Sequence, residues 1–233
     1  TQAANQNNST AQNNLGIIYY EGKYVSKDIN KAILYFTLAA NQNNAVAQSN
    51  LGLIYYEGKY VPQDINKAIY YYSLAANQNY DKAQSNLGFI YYEGKHVAQD
   101  INKAIYYYTL AANQKDSTAQ LNLGIIYYEN MPVHKGVYYL TEASCNRCKS
   151  AHFYVGFLYH EGKYVDQDIN KAIHYYKLSA NQNNVDSQVK LGLIYTNGKY
   201  ITRNVNLGIY YFTLAAKQND ADALVKLGKI FFW

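Results

Sequence analysis

Cys145-Asn146-Arg147-Cys148, with His152 four residues on, is where this sequence comes nearest to a reactive constellation. A Cys-x-x-Cys pair can ligate zinc or cycle between dithiol and disulfide. A structural zinc site takes four ligands, however, and one such pair supplies half of them. His152 and His134 would have to arrive from elsewhere in the fold to complete it. The other histidines, His96, His160 and His174, stand where sister stretches of the chain carry tyrosine, so they read as replacements at half-exposed positions. Acids recur in two registers, an Asp where a helix should begin and a Glu where one should end. No nucleophile–base pair, phosphate-cradling loop or carboxylate pair emerges. The expectation is a chain without enzymatic activity, cofactor or metal, whose two cysteines are incidental thiols.

What positions these residues is a repeat. Leu-Gly pairs begin at Leu15, Leu51, Leu87, Leu123, Leu191 and Leu227, with Val155-Gly156 as a seventh member, at intervals of 36, 36, 36, 32, 36 and 36 residues. A period in this range means stacked supersecondary units. Two prolines in 233 residues leave the helices almost unbroken. The net charge of +5 is spread along the chain, which argues against a nucleic-acid footprint. No apolar run reaches the roughly 18–20 residues of a membrane span. The 29 tyrosines have a bland explanation in AT-rich coding, and that explanation stands beside every aromatic stripe below.

Within one unit, Ala47, Leu51, Ile54 and Tyr55 share an arc of about 100°, which marks an amphipathic helix. Gly58 ends it. After the loop, Asp64 sits as an N-cap, as do Asp28, Asp100, Asp168 and, by substitution, Asn204. A second helix follows from Ile65, with Ile65, Ala68, Ile69, Tyr72, Ala75 and Ala76 on its apolar face. Asn79, with Asn43, Asn183 and Asn219, falls where a left-handed residue closes a helix. Gly52, Ala68 and Ala76 mark close helix crossings. The fourth unit is irregular: its loop, from Glu129 to Lys135, is four residues shorter, its Asp cap is gone and Gly136 replaces an alanine.

The series Ala47-Gln48-x-x-Leu51-Gly52-x-x-Tyr55-x-x-Gly58, then Asp64-x-x-Lys67-Ala68-x-x-Tyr71-Tyr72-x-x-Ala75-Ala76, resembles the Sel-one-like repeat family, relatives of the tetratricopeptide repeats. Asn79 departs from that family's usual glycine, and Lys59-Tyr60 from its second loop glycine. The resemblance implies an all-α, right-handed α-solenoid of about six stacked antiparallel helix pairs. Residues 1–233 are expected to form a single array. Thr1–Asn8 match the phrase that closes each repeat and Phe231-Phe232-Trp233 fall in mid-helix, so an excerpt of a longer array is expected. The compartment stays open, the cytoplasm being favoured over the endoplasmic-reticulum lumen.

In tetratricopeptide-like arrays one face of the first helix lines a concave groove. By register that face here comprises positions 46, 49, 53, 56 and 57 and their equivalents. It would display Asn13, Ser49 and Ser85 together with Leu53, Tyr56, Phe89, Tyr92, Ile125, Tyr128, Phe153 and Phe157. Glu57 and Glu93 edge it, with loop lysines such as Lys59 as their expected partners. The function this implies is a non-catalytic scaffold or adaptor that binds a protein or peptide on the concave face. The alternatives are a regulatory arm of an enzyme such as a protein kinase outside this segment, and a structural spacer. Replacing both Cys145 and Cys148 by Ser should leave the helical melting curve within about 1 kcal/mol of the parent. A large loss, or stoichiometric zinc in the purified protein, would refute the reading of incidental thiols.

Overall fold

The computed structural model describes residue 4 and residues 7–130, 133–145 and 148–231, apart from the side chains of residues 130 and 133. These residues form thirteen helices: α1 Ser9–Glu21, α2 Ile29–Ala40, α3 Ala45–Glu57, α4 Ile65–Asn77, α5 Asp81–Glu93, α6 Ile101–Asn113, α7 Ser117–Asn130, α8 Val133–Cys145, α9 Lys149–Glu161, α10 Ile169–Ala180, α11 Val185–Asn197, α12 Val205–Ala216 and α13 Ala221–Phe231. The fold is the expected all-α solenoid of antiparallel pairs. It comprises two compact units, Thr1–Ala119 and Gln120–Trp233. The residues on which the excerpt reading rests, 1–3, 5, 6, 232 and 233, lie outside the described ones, as do Met131, Pro132, Asn146 and Arg147.

In the first unit α1 packs on α2, α3 on α4 and α5 on α6, and each pair then packs on the next. The reason for Leu-Gly lies in this contact. A Cβ on Gly52 would lie 2.7 Å from the Tyr72 ring, and one on Gly88 would lie 2.7 Å from Tyr108. Tyr72 and Tyr108 are fully buried, so neither ring can yield. In the second unit Gly156 lies under Tyr176 and Gly192 under Phe212, while Gly124 faces Leu140. The irregular fourth pair has its own close backbone contact. A Cβ on Gly136 would meet the Tyr128 N and Gly124 O atoms, which explains the missing alanine methyl.

Local chemistry sets where each helix starts and stops. The carboxylates of Asp28, Asp64, Asp100 and Asp168 accept from the backbone N–H three residues on, and Asn204 does the same. That N–H, before the nearby lysine, holds each Asp carboxyl below its usual range. Asn8, Asn44 and Asn184 cap first helices in the same manner. Gly58, at φ 62°, closes α3 in the left-handed region, and Asn43, Asn79, Asn183 and Asn219 take φ near 61–63° between pairs. Asparagine there does more than tolerate the conformation. The Oδ1 of Asn43 and of Asn79 accepts from Gln48 and Gln84 respectively.

Those glutamines form the second recurring device. Gln48, buried, donates to the Ala40 carbonyl at the end of the preceding pair. Its Oε1 accepts from Gln78 at the end of its own pair, at 2.6 Å. Gln84 and Gln114 repeat the bridge at 2.8 Å, and Gln188 and Gln218 at 2.9 Å. His152 occupies this register in the second unit. It is hydrogen-bonded to the Ser144 backbone, and its Nδ1 lies 3.3 Å from Gln182 Nε2. A neutral imidazole offers one donor and one acceptor, so it imitates the glutamine amide. Burial first, and then the field of His174, lowers the pKa of His152.

Two outcomes follow from this packing. Gly52→Ala gains about 1 kcal/mol of helix propensity. Overpacking against an immovable ring costs about 1–3 kcal/mol, so the melting midpoint should fall; a rise would mean that the contact is loose. A lowered folded pKa means that the unfolded chain binds the extra proton more readily. Stability linked to His152 is therefore present above the ordinary histidine value of about 6.5 and is lost as pH falls below it. His152→Gln should reduce the acid-side loss in melting temperature, and an unchanged pH profile would refute the role.

Candidate functional site

In the first unit the exposed faces of successive first helices meet across shallow hollows. Between α1 and α3 the hollow measures about 240 Å³ and is lined by Ile17, Tyr20, Asn50 and Leu53 over Phe36. One repeat on, Leu53, Tyr56, Asn86 and Phe89 line a hollow of about 150 Å³ over Tyr72. The same residue, Leu53, thus forms one wall of each. Leu53 and Phe89 are exposed, and Tyr56 and Tyr92 half-buried, in the face expected from register.

One part of that expectation is corrected. Asn13, Ser49 and Ser85 are buried, not displayed. Ser49 stands one turn before Gly52 and shares its face, where the second helix crosses closely. The residues one position on, Asn50 and Asn86, line the hollows instead. A second correction concerns the glutamates. Glu57 accepts from the Tyr20 hydroxyl and Glu93 from the Tyr56 hydroxyl, both at 3.4 Å, and no described Lys–Glu ion pair holds either of them. Burial, and then the glutamate, raises the pKa of Tyr20 and of Tyr56. The loop lysines turn to tyrosine: Lys27 donates to the Tyr60 hydroxyl at 2.7 Å, and Lys59 lies over the Tyr60 ring.

Loop aromatics complete the face, and register alone did not find them. Tyr60 packs edge-on against Tyr20 at 6.0 Å and His96 against Tyr56 at 6.3 Å. In the second unit Tyr164 meets Tyr128 at 5.5 Å, and Tyr200 meets His160 at 5.4 Å. His96 and His160 therefore serve as flat rings in an aromatic series. The available signal was the loop aromatic itself, present at Tyr24, Tyr60, His96, Tyr164 and Tyr200.

Phe89 and Tyr92 belong to the first unit; Ile125, Tyr128, Phe153 and Phe157 belong to the second. There Ile125 and Tyr128 pack against the core of Leu140, Val155 and Leu158. Phe153 is half-buried against Tyr176 at 5.9 Å and stacks on Phe157 at 6.4 Å, so it is as much core as surface. Away from the groove, Tyr70, Tyr106, Tyr138 and Tyr210 are exposed, more than half their surface reaching solvent. The invariant first-helix tyrosines serve packing: Tyr55 stacks on Tyr71 at 5.9 Å with Lys67 over its open face.

Cys145 is exposed and Cys148, half-buried, precedes α9. Among the described residues, no three His, Cys, Asp or Glu side chains come together in a way that could hold a metal ion. No described helix is long and apolar enough to cross a membrane. The exposed face of the first helices in the first unit offers apolar hollows, tyrosine hydroxyls and glutamate carboxylates.

The comparisons with known proteins agree with this architecture. A Sel1 repeat protein from Oxalobacter formigenes is 32% identical, with a TM-score of 0.84 over 91% of this chain and 89% of that one. A protective antigen of uropathogenic Escherichia coli with an SLR fold is 27% identical with a TM-score of 0.88; the match covers 98% of this chain and 50% of that one. This chain thus spans about half of the antigen's length. An immunity protein from Pseudomonas aeruginosa, 20% identical with a TM-score of 0.54 over 90% and 81% of the two chains, shares the fold alone. No curated protein matches the sequence. Residues 9–44, 45–80, 81–116, 149–184 and 185–220 each match the family described as Sel1 repeat, and together they make up more than three quarters of the chain. The chain belongs to the Sel1 repeat family.

Proposed function

We propose that this protein is a non-catalytic interaction scaffold that holds a peptide or partner domain along the exposed face of its first helices. Sel1 repeat proteins generally mediate protein–protein interaction. The observation that carries the finer reading is the series of apolar hollows in the first unit, each walled by two successive first helices and edged by a loop aromatic. Rigid aromatic walls give contact area at small entropic cost. Tyr56 and Tyr92, with Phe89 between their registers, are the anchors in that unit; Tyr128 and Phe157 are the anchors in the second. The hydroxyl bonds from Tyr20 to Glu57 and from Tyr56 to Glu93 fix an acidic edge, which suits a segment with apolar side chains flanked by Lys or Arg.

Peptides selected on the intact protein from a displayed random library provide the test. Tyr56→Ala, Tyr92→Ala or Tyr128→Ala should cost a bound ligand about 1–3 kcal/mol each where it engages that unit, the range of interface hot spots. Tyr70→Ala and Tyr106→Ala on the opposite face should change little. Equal losses on both faces, with helicity intact, would mean that the wrong face has been chosen.

A further inference from the structure

The last hollow of the second unit departs from the others in a concerted way. Leu193, Thr196, Asn197, Val205, Phe212 and Ile230 line it together with the cations Arg203, Lys226 and Lys229, and it measures about 430 Å³. Comparison by register shows what changed. The tyrosine of the Tyr56 register is Thr196, a smaller side chain without the ring. The glutamate of the Glu57 register is Asn197, so the acidic edge is gone. Gln63 and Gln99 become Arg203, Asn50 and Asn86 become Lys226, and Leu53 and Phe89 become Lys229.

Arg203 keeps the anchoring bond of its register. Its Nε donates to the Thr196 carbonyl at 2.9 Å, as Gln63 Nε2 does to Tyr56. The guanidinium is thereby held at the rim. Among the described residues no carboxylate forms an ion pair with Arg203, Lys226 or Lys229, since the only such pairs are the four Asp–Lys pairs at helix starts. Lys190 and Lys199 line the adjoining hollow beside His160.

Resting on the groove reading above, we infer that the hollow between α11 and α13 binds an acidic peptide segment. One apolar side chain of that segment would sit over Leu193, Phe212 and Ile230, and its flanking Asp or Glu carboxylates would meet Arg203, Lys226 and Lys229. Charge complementarity selects this occupant: a carboxylate can take the guanidinium fork in two parallel bonds, while the apolar floor gives the anchor its burial. A basic segment, suited to the Glu57 and Glu93 edges of the first unit, is repelled here.

The experiment titrates the intact protein with three short fluorescent peptides that share an apolar centre and differ in flanks of Asp/Glu, Asn/Gln or Lys. The acidic peptide should bind on the order of tenfold more tightly than its neutral twin, and added salt should erode the difference. The variant K226N/K229L installs residues that other repeats already carry, so it should fold with unchanged helicity and abolish the preference. R203Q should reduce it. Preference for the neutral or basic peptide would overturn the inference, as would a preference that survives K226N/K229L. A single-stranded oligonucleotide that competes equally and depends on the same lysines would also overturn it, by making this a general polyanion face. If the acidic peptide fails while a library-selected, Tyr56-dependent ligand still binds, the inference falls and the groove reading stands; if neither binds, both fall.

Discussion

The structure depends on one close contact, a buried side chain of the second helix (an aromatic ring, or Leu140 in the irregular fourth pair) lying on the glycine of the Leu-Gly or Val-Gly step in the first. Helix axes approach only as far as side chains permit. With Gly52 below it, Tyr72 is buried almost completely and takes the centre of the pair. The antiparallel partners are then so close that the outward faces of successive first helices come within reach of one another. Leu53 can wall two hollows, and Tyr20 can reach Glu57 thirty-seven residues away. A bulkier residue at the glycine would separate the pair and the binding face together.

A second constraint links pair to pair. Helix ends leave carbonyls without intrahelical partners, and in a tightly stacked array several such ends meet out of water. Buried Gln48, Gln84 and Gln188 answer this with one amide each, which donates to the preceding pair and accepts from its own. Histidine is an acceptable replacement because its neutral ring has the same two functions, and this explains how His152 can be buried without a charged partner. The junctions are thereby specified by hydrogen bonding, whereas the pairs are specified by shape.

Whatever repeats within one helix was legible in the sequence. Asp64 as a cap, Gly58 as a stop and Asn79 in the left-handed region all follow from local backbone chemistry, and the period of 36 supplied the architecture. Relations between helices were harder to see, because they depend on a crossing geometry that a helical wheel does not contain. Ser49 lies on the outward arc by angle yet is buried by the closeness of α4. The Glu57 carboxylate has a lysine nearby in sequence but takes its hydrogen bond from Tyr20 of the preceding repeat. The stacked tyrosine pairs, such as Tyr91 with Tyr107 at 5.9 Å, and the glutamine bridges were likewise invisible until the register between helices was known.

A solenoid turns this same register into a means of local specialisation. Each hollow draws its residues from two adjacent repeats: its floor is the ring that makes the pair contact, and its rim positions carry neither that contact nor the junction amide. Substitutions there leave the glycine–ring seat untouched, as Gly192 under Phe212 shows beneath the most altered hollow. Thr196, Asn197 and Arg203 come from one repeat and Lys226 and Lys229 from the next, yet they line a single surface. The fold can therefore carry an acidic, aromatic edge in one repeat and a wider, basic one in another on the same glycine–ring seat. Selectivity along such a chain is set hollow by hollow, and a ligand that engages more than one hollow within a unit would be read for the order of its charges as well as for its apolar anchors.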